Sequence, residues 1–175
     1  MLNLTVITVG NLKESYLREA SAEYEKRLNA FCRLEMVQLK EVKLPENPTD
    51  AQISSALSAE GKQILAAMPS RAFRIALCVE GKQLSSEELA QKLEQISASH
   101  GSAVLVIGSS FGIAPEVKAA CDLRLSVSKL TFPHQLMRVL LLETVYRSLG
   151  ISKGTKYHKQ KHIKSYDGIK KSKYF

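Results

Sequence analysis

A run of five consecutive apolar residues, Ala103-Val-Leu-Val-Ile107, constrains the fold of this chain more than any other feature. A strand that is covered on both faces has a continuous apolar sequence, because neither face can carry solvated side chains. Such strands occur in parallel sheets that have helices on both faces. The run therefore predicts the central strand of a parallel α/β sheet.

Segments typical of strands and of helices alternate on both sides of this run. Short β-rich runs predict strands at residues 2–9, 34–42, 73–79, 103–107 and 123–127. Helical spacing and helix-start signals, with Thr49 or Asp50 and Ser85 or Ser86 as caps, predict helices at 15–30, 50–67, 86–98, 115–120 and 134–149. This alternation predicts βαβ units in one α/β domain, and charges in the second strand indicate a sheet edge or a half-exposed face.

The last predicted helix is apolar on almost every side. Its polar residues between Leu136 and Leu149 are only Arg138, Glu143, Thr144, Arg147 and Ser148. A helix with one wet face shows a polar stripe, so this helix is either enclosed in the core or buried between subunits. In a chain of 175 residues we favour a dimer interface.

Charge and cysteine content limit the classes of partner and compartment. Lysine and arginine total 25 against 17 acidic residues, and this net charge of +8 favours a polyanionic partner. The three cysteines, Cys32, Cys78 and Cys121, are too widely spaced for a zinc motif, and their odd number gives no disulfide framework. With no signal peptide and no long apolar run, we expect a cytoplasmic protein without a membrane span or a metal.

Ligands of open parallel sheets bind beyond the carboxyl ends of the strands. This rule selects the loops after Val9, Val79, Ile107 and Val127. The first loop has one glycine, so it lacks the dinucleotide-binding GxGxxG pattern, and the chain has no P-loop motif.

Two of the remaining three loops offer backbone groups that could contact a ligand. The third, Gly108-Ser-Ser-Phe-Gly112, allows close approach to its backbone, although such turns also occur for purely structural reasons. The fourth runs from Ser126 to Gln135, and its backbone groups could contact an adenine edge between Leu130 and Phe132.

These pieces together resemble the large-subunit ribosomal RNA pseudouridine N3-methyltransferase family of the SPOUT superfamily. The resemblance is carried by AVLVIG, by SVSKLTFPHQLMRVLLLETVYRSL and by Tyr157-His158-Lys159. The opening LTVITVGNLKESYLREASAEYEKRL and the central LCVEGKQLSSEELAQKL resemble the same family. The resemblance covers about residues 1–159, which we expect to form the methyltransferase domain.

The resemblance implies a SPOUT-type fold with a C-terminal trefoil knot, a homodimer, and S-adenosylmethionine held by the knot loops. The cofactor-binding residues that it implies are Leu77, Gly108, Val127, Ser128, Lys129, Leu130, Thr131 and Phe132. The family commonly has paired glycines where this chain has Gly108-Ser109, so approach of a ligand at Ser109 is expected to be tighter.

The reaction implied by the resemblance is methylation of N3 of a pseudouridine in 23S ribosomal RNA. That ring imide must lose its proton, so a weak base or a local positive charge would assist. The candidates for this catalytic role are His134, Arg138 and His158, and those for binding the substrate are Tyr157, His158 and Arg138.

Two features leave alternatives open. Residues 160–175 continue past the motif near which the family usually ends, as a basic extension that either contacts RNA or has no role. A SPOUT methyltransferase acting on transfer RNA or on a ribose, and a noncatalytic RNA-binding or ribosome-assembly factor, remain the alternative functions.

Overall fold

The computed structural model describes residues 1–154 and shows an α/β fold with five strands and five helices in that range. The elements, in chain order, are β1 (Leu2–Val9), α1 (Ser15–Leu28), β2 (Cys32–Leu39), α2 (Asp50–Ala67), β3 (Phe73–Gln83), α3 (Ser86–Ser99), β4 (Ser102–Ile107), α4 (Pro115–Ala119), β5 (Leu123–Ser126) and α5 (His134–Ser152). All strand pairs are parallel, in the order β2-β1-β4-β3-β5. The predicted α/β class and parallel sheet are confirmed.

The apolar run of the sequence is the central strand, as predicted. β4 lies between β1 and β3, and its residues from Ala103 to Ile107 are at most 5% exposed. β2 is an edge strand with alternating exposure, which agrees with its charged sequence. Charged side chains are common on edge strands, where they oppose pairing with a further strand.

The third strand is longer than predicted. It continues to Gln83 because Lys82 and Gln83 pair with β5 after a register shift that begins at Leu77. Gly81, which lies beyond the predicted end of the strand, permits this pairing, since a Cβ there would lie 2.6 Å from the carbonyl carbon of Leu125. The polar residues after Val79 therefore belong to the carboxyl-terminal part of β3, which pairs with β5.

Helices cover both faces of the sheet and form two apolar clusters. One cluster joins the sheet to α1, α3 and α5, and the other joins it to α2 and α4. Both predicted helix caps are confirmed, since Thr49 with Gln52 and Ser85 with Glu88 form reciprocal capping boxes. Each cap is typically worth about 1 kcal/mol.

Helix α5 lies against α1 and α3 and buries only part of its apolar surface within the chain. Leu141, Leu142 and Val145 are at most 1% exposed, whereas Leu136 and Leu140 are half-buried. Enclosure in the core therefore explains one face of this helix, and the other face retains solvent contact. Within the described residues, no helix is long and apolar enough to cross a membrane.

Candidate active site

A cavity of about 290 Å³, here called the loop cavity, opens at the carboxyl ends of β3, β4 and β5. This volume is near the lower end of the range for small-molecule sites, roughly 300–1,000 Å³. Its lining includes Leu77, Cys78, Glu80, Gly108, Phe111, Leu125, Val127, Ser128, Leu130, Phe132, His134 and Met137. Two of the four loops selected by the sheet rule, those after Ile107 and Val127, thus meet around one cavity, together with residues of β3 that the rule had assigned to a third loop.

The structure brings together most of the residues predicted to bind a cofactor. Six of the eight line the loop cavity: Leu77, Gly108, Val127, Ser128, Leu130 and Phe132. The other two, Lys129 and Thr131, belong to the same loop but are exposed and do not line it. Leu77 is separated from the last loop by about fifty residues of sequence, so only folding joins them.

The glycine loop, residues 108–112, is shaped by a close internal contact. An added Cβ on Gly108 would overlap the carbonyl oxygen of Gly112, so only glycine fits at this position. The amide of Gly112 donates a hydrogen bond of 2.9 Å to the carbonyl of Ser109, and Gly112 itself has φ +95°. The loop therefore presents its backbone to the cavity in a fixed conformation.

A buried carboxylate on α2 supports the glycine loop through a hydrogen bond. Glu60 of α2 is 4% exposed and accepts hydrogen bonds from Ser109 Oγ at 2.8 Å and from the amide of Val42 at 2.9 Å. Sequence reasoning missed Glu60 because its partners lie in two distant segments. The only signal was an acidic residue at a position of α2 that faces the sheet.

Side-chain hydroxyls shape the last loop, residues 127–133. Ser126 Oγ donates to the carbonyl of Ser128 at 2.8 Å, and the amide of Leu130 donates to Ser128 Oγ at 3.0 Å. These contacts turn the chain immediately after β5 and direct Phe132 toward the cavity lining, while Leu130, 71% exposed, stands at its rim.

One charged pair and one thiol lie at the β3 side of the loop cavity. Lys118 donates to the carboxylate of Glu80, and this hydrogen bond holds the pKa of Glu80 below its ordinary value. Burial raises the pKa of the Cys78 thiol. None of these three lining residues was predicted as a site residue, and Glu80 lies beyond the predicted end of β3 at Val79.

The two α5 candidates for a catalytic role face different cavities. His134, the first residue of α5, lines the loop cavity. Arg138 does not; its guanidinium donates to Thr8 Oγ1 at 2.8 Å, to the carbonyl of Gly10 at 2.9 Å and to Gln38 Oε1 at 3.2 Å. Burial lowers the pKa of Arg138, which lines a second cavity together with Arg18.

The family model described as "Predicted SPOUT methyltransferase" matches residues 2–158 of the chain. The chain belongs to the SPOUT methyltransferase family. The match extends four residues beyond the described part of the chain.

Curated relatives are similar over nearly the whole chain. A protein from Leuconostoc mesenteroides named ribosomal RNA large subunit methyltransferase H is 45% identical over 159 residues, which are 90% of this chain and all of that protein. A protein of the same name from Bifidobacterium adolescentis is 46% identical over 160 residues, with the same coverage.

Solved structures of more distant proteins share the fold. A "probable methyltransferase" from Bordetella pertussis superposes with a TM-score of 0.56 at 14% identity, over 85% of this chain and 96% of that one. A "probable methylase family protein" from Haemophilus influenzae gives 0.52 at 15% identity, over 90% and 71%. At this identity the likeness establishes the fold alone.

Two residues predicted to bind the substrate, Tyr157 and His158, lie outside the described residues. Within residues 1–154 no group of three or more His, Cys, Asp or Glu side chains is arranged to hold a metal ion. Of the two described candidates for the proton-transfer role, His134 lines the loop cavity and Arg138 does not.

Proposed function

We propose that the chain transfers the methyl group of S-adenosylmethionine to N3 of a pseudouridine in 23S ribosomal RNA. Membership in the SPOUT methyltransferase family supports the reaction class, and two relatives named ribosomal RNA large subunit methyltransferase H support the substrate. The observation that carries the proposal is the meeting of Leu77, Gly108 and the last loop around one cavity.

The lining suits the parts of S-adenosylmethionine. Leu77, Leu125 and Phe132 offer apolar walls for the adenine ring, and the backbones of two loops offer donors and acceptors for its edge. The carboxylate of Glu80 is in reach of the lining and would accept hydrogen bonds from ribose hydroxyls or an amino group.

The bound cofactor supplies an activated methyl group, so the protein has mainly to position the two reactants and exclude water. We assign to His134 the acceptance of the N3 proton, because its imidazole lines the loop cavity and histidine is the side chain that most often transfers protons in enzymes. Arg138, Tyr157 and His158 remain the proposed substrate residues, with Tyr157 stacking on a base. Arg138 would act from the second cavity.

The same proposal includes a homodimer and a C-terminal trefoil knot. The half-buried apolar side of α5, with Leu136, Val139 and Leu140, supports a subunit contact, because apolar surface on a helix is normally covered. The proposal also includes a cytoplasmic location, because the proposed substrate is ribosomal RNA. A molecular mass of one subunit, measured by light scattering of the full chain, would contradict the proposed dimer.

The test uses labelled S-adenosylmethionine and ribosomes from cells that lack the endogenous enzyme. After incubation, the RNA is digested and the labelled nucleoside is identified by chromatography and mass spectrometry. We expect label in N3-methylpseudouridine from the large subunit, and loss of label with His134→Ala. Label only in transfer RNA or on a ribose would change the substrate, and absence of both label and cofactor binding would favour a noncatalytic RNA-binding factor.

A further inference from the structure

A groove of about 720 Å³ lies next to the loop cavity, at the carboxyl ends of β1 and β2. We call it the lysine groove. Its walls are the loop after β1, the segment after β2 and the tip of the glycine loop, and its lining includes Asn11, Lys13, Lys40, Glu41, Lys43, Ser110 and Phe111. Neither the reaction nor the cofactor assigned above uses this groove.

The lysine groove carries a net positive charge. Lys13, Lys40 and Lys43 are all exposed, and in the described part of the chain none has a carboxylate oxygen within 4 Å of its amino group. Glu41 is the acid of the lining, and one of its carboxylate oxygens lies 3.4 Å from Ser110 Oγ. Three cations and one acid in a concave surface form a site for a polyanion.

The walls of the groove are held in place by hydrogen bonds. Gly10 donates its amide to the carbonyl of Leu39 at 3.0 Å, which joins the loop after β1 to the end of β2. The amide of Lys13 donates to Gln135 Oε1 at 2.8 Å, one residue after His134 on α5. These hydrogen bonds therefore fix the backbone of the groove walls relative to His134, the candidate base.

Phe111 connects the lysine groove to the loop cavity. Its ring contributes to the lining of both and is 45% exposed, so part of the ring is open to a ligand. Single-stranded nucleic acids bind by stacking bases on exposed aromatic rings while cations follow their phosphates. An exposed ring beside three exposed lysines has this composition.

We propose that the lysine groove binds the RNA strand that flanks the target nucleotide, with its phosphates on Lys13, Lys40 and Lys43 and a neighbouring base on Phe111. This inference rests on the proposed function, because the target base must enter the loop cavity. It places the strand along the ends of β1 and β2, so that the nucleotide beyond Phe111 reaches His134.

The test compares two triple variants of the full chain. Lys13→Ala/Lys40→Ala/Lys43→Ala removes the groove cations, and Lys26→Ala/Lys62→Ala/Lys92→Ala removes the same charge elsewhere. Binding of a fluorescent single-stranded RNA and of ribosomes is measured over a range of salt concentrations, and S-adenosylmethionine binding is measured by calorimetry. The groove variant should bind RNA at least about tenfold more weakly, and its slope of log affinity against log salt should fall by about 2–3.

The control triple should retain affinity and slope, and both triples should bind S-adenosylmethionine as the unaltered chain does. Phe111→Ala should weaken RNA binding about 5- to 100-fold without changing the salt slope, and Phe111→Tyr should restore it. Equal RNA affinities for the two triples would overturn the proposal. A change in the oligomeric mass of the groove triple, measured by light scattering, would also overturn it, because the lysines would then act on assembly. RNA binding that depends on the groove lysines but gives no methylated nucleoside would keep the groove and overturn the proposed function instead.

Discussion

Ser109 Oγ donates a hydrogen bond of 2.8 Å to the carboxylate of Glu60, and both residues are at most 5% exposed. The other carboxylate oxygen accepts the amide of Val42, which lines the lysine groove. One buried side chain of α2 therefore joins the glycine loop of the loop cavity to the segment that carries Lys40 and Lys43. The two candidate binding surfaces share this support.

Loss of the Ser109 hydroxyl should loosen the glycine loop. Ser109→Ala leaves one oxygen of a buried carboxylate without its donor, so the free energy of unfolding should fall by about 1–3 kcal/mol. Cofactor affinity should fall with it. Ser110→Ala is the matched control, because its hydroxyl is exposed and 3.4 Å from Glu41, and it should change stability by less than about 0.5 kcal/mol. Urea unfolding measures the stability, and calorimetry measures the cofactor affinity. Equal effects of the two variants would contradict this account.

Replacement of Gly108 should affect cofactor binding more than stability. A Cβ there overlaps the Gly112 carbonyl, so Gly108→Ala must move the glycine loop, and we expect a loss of S-adenosylmethionine affinity of about tenfold or more. Gly101→Ala is the control: it strains a residue with φ +68° and no neighbour within 4 Å, away from the loop cavity. It should lower stability by about 1 kcal/mol and leave cofactor affinity unchanged. Unchanged affinity of Gly108→Ala would show that the loop does not contact the cofactor.

The sequence predicted the elements and the ligand loops because both depend on local patterns. The apolar run of β4, the capping boxes at Thr49 and Ser85, and the rule that places sites at strand ends need no tertiary information. The end of β3 could not be predicted, because Lys82 and Gln83 are strand residues only through pairing with β5.

The direction of individual side chains was the other missing part. Arg138 was grouped with His134 because both lie beside the predicted cofactor loop in the sequence. The packing of α5 against α1 and α3 fixes its rotation, and this rotation directs Arg138 to Thr8 and Gly10 and leaves His134 in the loop cavity. Periodicity shows which residues share a face, but only packing shows what that face meets.

Arg138 should contribute strongly to stability whatever its role toward the substrate. Arg138→Ala removes the donor from Thr8 Oγ1, the Gly10 carbonyl and Gln38 Oε1 in a buried setting, and should lower the free energy of unfolding by about 2–4 kcal/mol. Arg71→Ala, at an exposed arginine, should change it by less than about 0.5 kcal/mol. Activity is measured well below the melting temperature, where kcat/KM equal to that of the unaltered chain would exclude a substrate role.

Removal of the basic extension should weaken the salt dependence of RNA binding. Residues 161–175 contain five lysines, and if each contacts a phosphate their deletion lowers the slope of log affinity against log salt by about 4. A chain of full length with these five lysines changed to glutamine separates the charge from the chain itself and should give the same slope as the deletion. A slope that matches the unaltered chain would show that the extension does not contact RNA.

The thiols of Cys78 and Cys121 provide a direct probe of the loop cavity. Burial raises the pKa of both, that of Cys121 to about 11, so both are protonated at neutral pH, and alkylation should accelerate only as the pH rises above the ordinary thiol range of about 8.5. Of these two thiols, only Cys78 lines the loop cavity. S-adenosylmethionine should therefore slow the alkylation of Cys78 by iodoacetamide and leave the alkylation of Cys121 unchanged. Mass spectrometry of the alkylated peptides measures both rates. Cys32 is 1% exposed, so it should not be alkylated in the folded chain, and its alkylation would report unfolding. Equal protection of Cys78 and Cys121 would indicate general stabilisation, and no protection of Cys78 would show that the cofactor does not occupy this cavity.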